Sequence, residues 1–239
     1  MFPGEADALK SLDGLGQGSV DWSGDPRQEF PRELDSMSTH KIHPQIDDGC
    51  EEEKSGEGKD PLLQRLLDSR TIIVSKGVSD ELAKQVVSQL FILEQIDESA
   101  PVTIIINSPG GSADSGFAIH DAIKFVKCPV RTLTMGICAS AAVMIHLAVP
   151  AERRFVTPNS RFLLHQPSMR TAGQASDIAI VSREIDRMRA QYNTIVANET
   201  GKKVSQVDEA VSRDFWLTAE EGVKYGLANK VITHRAEME

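Results

Sequence analysis

Short apolar runs alternate with helical patterns through most of this chain, and this alternation restricts the possible fold more than any other feature. The runs 71–74, 102–106 and 130–134 are too short for helices and rich in β-branched residues. Helical periodicity lies between them, with apolar residues at i, i+3, i+4 and i+7 from Ile119 to Val126. Alternating strands and helices predict an α/β domain.

The remaining elements follow from the same patterns. Ser79 or Asp80 is predicted to cap a helix, and a capping box at 218–221 begins another that ends at Gly226. Further strands are predicted at 153–156, 161–165 and 230–233. A long helix is predicted over 177–200, with Gly201 as its stop. Its inward-facing residues are predicted to be Ile178, Val181, Ile185, Met188, Tyr192 and Ile195.

The first 60 residues differ in composition from the rest. They hold 15 acidic and 6 basic residues, a net charge of −9, which equals the net charge of the whole chain. The remaining residues carry 20 of each sign. The segment also contains 8 of the 17 glycines and has no sustained apolar period. We therefore predict an acidic, disordered segment at 1–60 and a folded domain at 61–239.

Composition also excludes several classes of protein. A neutral body argues against nucleic-acid binding, which requires a basic surface. Three cysteines and the lack of a secretory signal predict a reducing compartment, the cytoplasm. Residues 132–151 lack charges over a length that could span a bilayer. Gly136, Ser140, His146 and Pro150 interrupt them, so we interpret this stretch as a strand, a turn and a buried helix, not a membrane span.

Three segments carry the residue types of acyl-transfer chemistry. Ser140 lies within a small-residue run, 136–142, between a strand and an apolar helix, whose N-terminus offers free N–H groups to an oxyanion. His165 follows the strand-like run 161–164, and the turn at 107–111 offers accessible amides. A serine, a histidine and an amide-rich turn are the parts of nucleophilic acyl transfer.

Each residue also has a structural interpretation when taken alone. Ser140 could be a packing serine in a small-residue turn, and His165 could be a core histidine with satisfied hydrogen bonds. Cys138, two residues before Ser140, could be a redox switch, although we favour a small buried apolar residue. No Cys/His cluster has the spacing of metal ligands, so we predict no metal site.

Residues 61–235 resemble the proteolytic subunit of the Clp protease. The order and spacing of six motifs carry the resemblance: NSPGG at 107–111, GICAS at 136–140, PNSRFLLHQP at 158–167, GQASDI at 173–178, RDFWLTAEE at 213–221 and YGLANKVITHR at 225–235. The resemblance implies the ββα superhelix that this family shares with crotonases. It also implies a protruding handle, formed by a strand at 168–175 and the long helix.

The resemblance further implies a serine endopeptidase for unfolded polypeptides, with a role in protein quality control. Ser140 would be the nucleophile, His165 the general base and Asp214 the orienting acid, with the amides of Gly111 and Ala141 as the oxyanion hole. The active sites would be enclosed in a homo-oligomer of two stacked heptameric rings. A separate AAA+ Clp unfoldase would deliver substrates and use the ATP, so the chain itself would need no cofactor.

The sequence departs from the family pattern at several positions. Phe215 stands where an arginine usually follows the triad aspartate, and Ile105 replaces a tyrosine of the unfoldase docking pocket, whereas Phe125 matches. Asp208 lies near Asp214 and competes with it for the role of orienting acid. Two alternative functions remain: a non-catalytic ring subunit or scaffold pairing with an active paralogue, and a crotonase-like acyl-CoA enzyme.

Overall fold

The computed structural model describes residues 61–169 and 171–238, which build a mostly parallel β-sheet with helices packed on it. The strands are β1 (Thr71–Val74), β2 (Val102–Ser108), β3 (Val130–Ala139), β4 (Arg154–Val156), β5 (Arg161–Leu164), β6 (Phe215–Thr218) and β7 (Lys230–Val231). The helices are α1 (Pro61–Asp68), α2 (Asp80–Ile96), α3 (Ala113–Phe125), α4 (Ala141–Leu147), α5 (Ala175–Thr200), α6 (Val204–Ala210) and α7 (Ala219–Tyr225). The α/β prediction is confirmed.

The sheet branches at β3. Strands β1, β2, β3, β4 and β7 lie side by side in that order, and each neighbouring pair is parallel. The end of β3 extends past β4 and pairs in parallel with β5, which pairs in antiparallel fashion with β6. This branch brings together three segments that are far apart in sequence: the residues just after β3, just after β5 and just before β6.

The core lies between the sheet and helices α2, α3 and α4. The sheet side includes Ile104 and Ile106 of β2, both fully buried, as expected for a strand with parallel neighbours on both sides. Every residue of α4 is buried. The predicted cap of α2 is Ser79, whose hydroxyl accepts a hydrogen bond from the Leu82 amide at 3.3 Å.

The long helix is present as α5, but the prediction that its apolar residues face inward is wrong for Ile178 near its start. Of the predicted residues, Ile178 is 42% exposed, Tyr192 is buried, and Val181, Ile185, Met188 and Ile195 are only partly buried. The predicted handle strand is not formed in the described residues 166–169 and 171–174. A strand needs a neighbour to satisfy its backbone groups, and the described part of this single chain provides none there.

The boundaries of two predicted elements also differ. The strand predicted at 130–134 continues to Ala139, because residues 137–139 pair with β5 instead of forming a turn. The chain turns only at Ser140. The last strand is shorter than predicted and ends at Val231.

Two further predictions concern the ends of the domain and membrane insertion. The disordered segment at 1–60 lies outside the described residues, so that prediction and the boundary at Pro61 stay predictions. Within residues 61–169 and 171–238, no helix is long and apolar enough to cross a bilayer. The uncharged stretch 132–151 contains most of β3 and all of α4, the strand and buried helix that we predict.

Helix α4 carries a buried histidine that makes stability depend on pH. Burial and, next, the neighbouring Arg154 guanidinium lower the pKa of His146 to about 3. In the unfolded chain the imidazole titrates near pH ~6.5. Between these two pH values, the His146 imidazole is therefore protonated in the unfolded chain but not in the folded one. The contribution of His146 to stability is intact above about pH 6.5 and decreases as the pH falls from there toward 3.

We expect the wild type to lose about 2 kcal/mol more stability than His146→Gln between about pH 7.5 and about pH 5. The glutamine is uncharged at both pH values, so it removes this proton linkage. Urea unfolding of both proteins at the two pH values measures the difference. An identical pH dependence of the unfolding free energy in both proteins would contradict the prediction.

Candidate active site

Ser140 occupies a strained turn between β3 and α4. Its φ of 53° and ψ of −122° are unusual for a residue with a side chain. The Ser140 amide donates a hydrogen bond to the Leu163 carbonyl of β5 at 2.8 Å, which holds the turn against the neighbouring strand. A serine on a sharp strand-to-helix turn projects its hydroxyl away from the backbone, which is how many hydrolases present a nucleophile.

His165 reaches the same place because of strand register. β3 and β5 are parallel, with Ala139 beside Leu163, so the residues that follow both strands emerge at the same edge of the sheet. Ser140 and His165 both line a cleft of about 430 Å³. The structure thus brings together two residues that are 25 positions apart in the sequence.

Asp214 comes from the third segment. β5 and β6 are antiparallel with Leu164 opposite Phe215, so His165 and Asp214 form the next pair beyond the ladder. The His165 Nδ1 and Asp214 Oδ1 atoms are 4.0 Å apart, beyond hydrogen-bonding distance. The Asp214 side chain is 66% exposed and that of His165 31%. The predicted acid is therefore adjacent to the histidine but not bonded to it.

The competing carboxylate, Asp208, is engaged elsewhere. Its Oδ1 accepts hydrogen bonds from Arg189 Nε at 2.9 Å and from Asn193 Nδ2 at 2.7 Å. These contacts tie α6 to α5. This arrangement favours Asp214 over Asp208 as the partner of His165.

Gly111 and Ala141, the two predicted oxyanion donors, line the cleft with Ser140. Val78 forms a bridge to this glycine turn, in which its amide donates to the Gly110 carbonyl and its carbonyl accepts from the Ser112 amide. The Gly111 amide takes no part in this bridge. Gly111 has a φ of 152°, and a Cβ atom there would lie 2.3 Å from the Val78 carbonyl oxygen. Only glycine allows the backbone to approach so closely.

The walls of the cleft include residues that the sequence did not identify as part of the site. They come from α3, α4 and α5 and are mainly apolar: Phe117, Met144, Met188 and Tyr192. Met188 and Tyr192 were predicted to face inward on the long helix, but periodicity alone does not separate a core contact from a cleft wall. An apolar cleft suits the side chains of an extended polypeptide.

Cys138 is fully buried in β3, as our preferred interpretation expects. Burial raises the pKa of its thiol to about 12. The thiol, which must ionise to react, is therefore almost entirely protonated near neutral pH. The redox-switch interpretation has no support from this environment. Within the described ranges, no group of three or more His, Cys, Asp and Glu side chains could hold a metal ion.

We expect iodoacetamide to leave Cys138 unmodified in the folded protein at about pH 8, because only on the order of one thiol in ten thousand is ionised there. The same treatment after unfolding should alkylate it fully. Peptide mass mapping of both samples measures the difference. Rapid alkylation of Cys138 in the native protein would show that the thiol is accessible.

Comparison with known proteins places the chain in a family. A family model described as Clp protease matches residues 54–235. The chain belongs to the Clp protease family. A Clp protease proteolytic subunit 2 from Treponema denticola is 44% identical over 179 residues, which cover 75% of this chain and 90% of that protein. Subunit 2 from Pseudomonas aeruginosa is 44% identical over 177 residues, which cover 74% and 88% of the two chains.

A solved structure confirms the Clp protease fold predicted from the sequence. A point mutant of ClpP1 from Listeria monocytogenes superposes with a TM-score of 0.69 at 40% identity, covering 74% of this chain and 99% of that one. Membership of the Clp protease family supports a peptidase role. The acyl-CoA alternative has no support from these matches.

Phe215, the departure from the family pattern beside Asp214, packs within the chain. Its ring lies 5.3 Å from that of Tyr225, centroid to centroid, and contacts the main core. Ile105, the other departure, lines a pocket of about 170 Å³ with Leu133 and Met135. Phe215 therefore packs against its own chain, whereas Ile105 forms part of a pocket wall.

Proposed function

We propose that this chain is a serine endopeptidase in which Ser140 is the nucleophile, His165 the general base and Asp214 the orienting acid. The observation that carries the proposal is the convergence of Ser140 and His165 in one cleft, with Ser140 on a strained turn. A serine hydroxyl is nearly inert without a base, and a histidine that lines the same cleft is the residue type that could act as that base.

The proposed reaction follows from these positions. Ser140 Oγ attacks the carbonyl carbon of the substrate peptide bond while the neutral imidazole of His165 takes the hydroxyl proton. The amides of Gly111 and Ala141 stabilise the negative oxygen. The imidazolium then protonates the leaving amine, and the acyl-enzyme forms. Water, activated by the same imidazole, hydrolyses the acyl-enzyme and regenerates Ser140.

Asp214 would hold the histidine tautomer and stabilise the imidazolium. The 4.0 Å separation must shorten by about 1 Å for a hydrogen bond to form. Catalytic hydrogen bonds are often long in unliganded proteins and tighten when substrate binds. A long contact in the free chain is compatible with this role.

We also propose that the chain assembles into two stacked heptameric rings in the cytoplasm and receives unfolded polypeptides from an AAA+ Clp unfoldase. The names of its relatives contain the words ATP-dependent and subunit, which support a multi-chain assembly and an energy-consuming partner. The exposed apolar side chains Ile178, Ile180 and Phe125 support contacts with other chains. ATP would be used by the partner, not by this chain.

A second candidate function is a subunit that builds the ring without cleaving peptides. The His165–Asp214 separation favours it, because an unaligned pair would leave the serine inactive. Relatives numbered subunit 1, subunit 2 and subunit 3 also support mixed rings. The three retained triad residue types favour the catalytic proposal, since a scaffold does not require them.

A fluorophosphonate probe separates the two candidates, because it reacts only with an activated serine. We expect the purified chain to be labelled at Ser140 and to cleave a short fluorogenic peptide. Mass spectrometry of the labelled peptide locates the adduct, and heat-unfolded protein provides the control. An assembled ring that takes up no probe and cleaves no peptide would support the non-catalytic subunit instead.

A further inference from the structure

A fully buried arginine, Arg154, connects two helices of the cleft. Its Nε donates a hydrogen bond to the Val149 carbonyl at 2.7 Å. Its two terminal nitrogens donate to the Leu147 carbonyl at 3.1 Å and the Glu199 carbonyl at 2.8 Å. The guanidinium also pairs with the Glu199 carboxylate. Every hydrogen bond of this side chain is with α4, the turn that follows it, or α5.

The contacted carbonyls belong to the C-terminal ends of both helices. α4 ends at Leu147 and α5 ends at Thr200, one residue after Glu199. The last carbonyls of a helix have no partner within the helix, and the helix dipole places partial negative charge there. The buried Arg154 guanidinium thus donates hydrogen bonds to carbonyls at the C-terminal ends of both α4 and α5. This function requires the planar, multidentate donor group of arginine.

Both helices contribute residues to the lining of the candidate active site. α4 begins directly after Ser140 and contributes Ala141 and Met144 to the cleft, while α5 contributes Met188 and Tyr192. α4 is only about 10 Å long at ~1.5 Å per residue. Ser140, at the start of this short helix, therefore lies close to the end that Arg154 contacts.

Contacts from strand β3 and helix α3 also reach the end of α4 and the Glu199 carboxylate. The Thr132 hydroxyl donates to the His146 carbonyl at 3.1 Å, and Thr132 is the register partner of Arg154. Lys124 of α3 donates to the Glu199 carboxylate at 2.8 Å. Burial raises the pKa of Glu199, but the Lys124 hydrogen bond and the Arg154 charge outweigh burial and hold it below its ordinary value.

We propose that Arg154 is a positioning residue for Ser140, which it aligns by joining the C-terminal ends of α4 and α5. The inference rests on the proposed peptidase function. A misplacement of about 1 Å at a reacting group can cost about 100-fold in rate. A buried arginine with a purely structural role would affect how many molecules fold, whereas a positioning residue affects how fast each folded molecule reacts.

Fluorophosphonate labelling tests this distinction. The labelled fraction reports how many molecules are competent, and the second-order rate constant reports how reactive Ser140 is in each of them. The main variant is Arg154→Met with Glu199→Gln, because removing only one partner would leave a costly unpaired buried charge. Arg154→Lys is the second variant, since it keeps the positive charge but loses the planar set of guanidinium N–H donors. Native mass spectrometry checks that assembly is unchanged.

Arg70 provides a matched control. Its guanidinium also donates to several carbonyls around a helix C-terminus, those of Leu93, Asp97, Ala100 and Pro101 at the end of α2. None of these residues lines the active-site cleft. Arg70→Met should lower the melting temperature while the labelling rate constant stays within about twofold of wild type.

We expect the double variant to lose at least about tenfold in rate constant with an unchanged labelled fraction, and Arg154→Lys to lose less. A rate constant for the double variant within twofold of Arg70→Met would overturn the inference. If the double variant does not fold, an unchanged rate constant in Arg154→Lys would overturn it instead. A wild type that takes up no probe would overturn the proposed function, and this inference with it.

Discussion

Replacing Ser140 with alanine should lower peptidase activity by about 10⁴- to 10⁶-fold, the largest effect that we expect from any single substitution. The alanine lacks the hydroxyl that forms the acyl-enzyme, while the cleft and the amides of Gly111 and Ala141 remain. The fold should be unaffected, because the substitution removes one oxygen from a residue at the cleft surface. Hydrolysis of a short fluorogenic peptide measures the loss.

His165→Ala should cost about as much as Ser140→Ala, because members of a triad act as a unit and their effects do not add. Asp214→Asn should cost less but remain severe, since the histidine loses its orienting partner. Ser182→Ala is the control, an exposed serine of α5 outside the cleft, and should retain full activity. More than a tenth of wild-type activity in Ser140→Ala would show that another residue is the nucleophile.

The sequence predicts the candidate site well where apolar, β-branched runs mark the strands. The apolar runs that end at residues 106, 134 and 164 locate the strands, and parallel neighbours bring their ends to one edge of a sheet. Ser140 and His165 could therefore be placed near each other from periodicity and residue type. Their convergence in one cleft is a consequence of the β3–β5 pairing.

Asp214 could not be placed in this way. The sequence patterns predict neither of its flanking elements, α6 and β6, so no predicted element begins or ends at Asp214. Only the resemblance to a family pointed to Asp214. Its position is then explained by the antiparallel β5–β6 register, which no feature of the local sequence predicts.

The first half of α5 illustrates a different limit. Its apolar residues at helical spacing predict a buried face, yet Ile178 is exposed in the single chain. Periodicity reports that a face is apolar and does not report whether the same chain or another covers it.

The turn at Ser140 illustrates a third limit. The run 136–142 suggested a turn, but residues 137–139 form ladder positions beside β5. The positive φ of Ser140 depends on neighbours that hold the backbone, among them the Leu163 carbonyl. Strain of this kind is imposed by tertiary structure, so local propensity could not reveal it.

Gly111→Ala should lower the turnover number by about 10²- to 10³-fold, the range for loss of one oxyanion donor. The added Cβ would lie 2.3 Å from the Val78 carbonyl oxygen, and the φ of 152° is rarely adopted by alanine. The backbone must therefore shift, and the Gly111 amide moves with it. The same shift disturbs the bridge to Val78, so the variant should lose some stability as well.

Gly201→Ala separates the two effects. Gly201 ends α5 with a φ of 69°, and a Cβ there would meet no atom within 4 Å, so alanine introduces backbone strain without a clash. This control should lose about 1–2 kcal/mol of stability and keep its turnover number. Peptide hydrolysis and urea unfolding of both variants provide the comparison. Equal turnover in the two glycine variants would mean that the Gly111 amide does not stabilise the oxyanion.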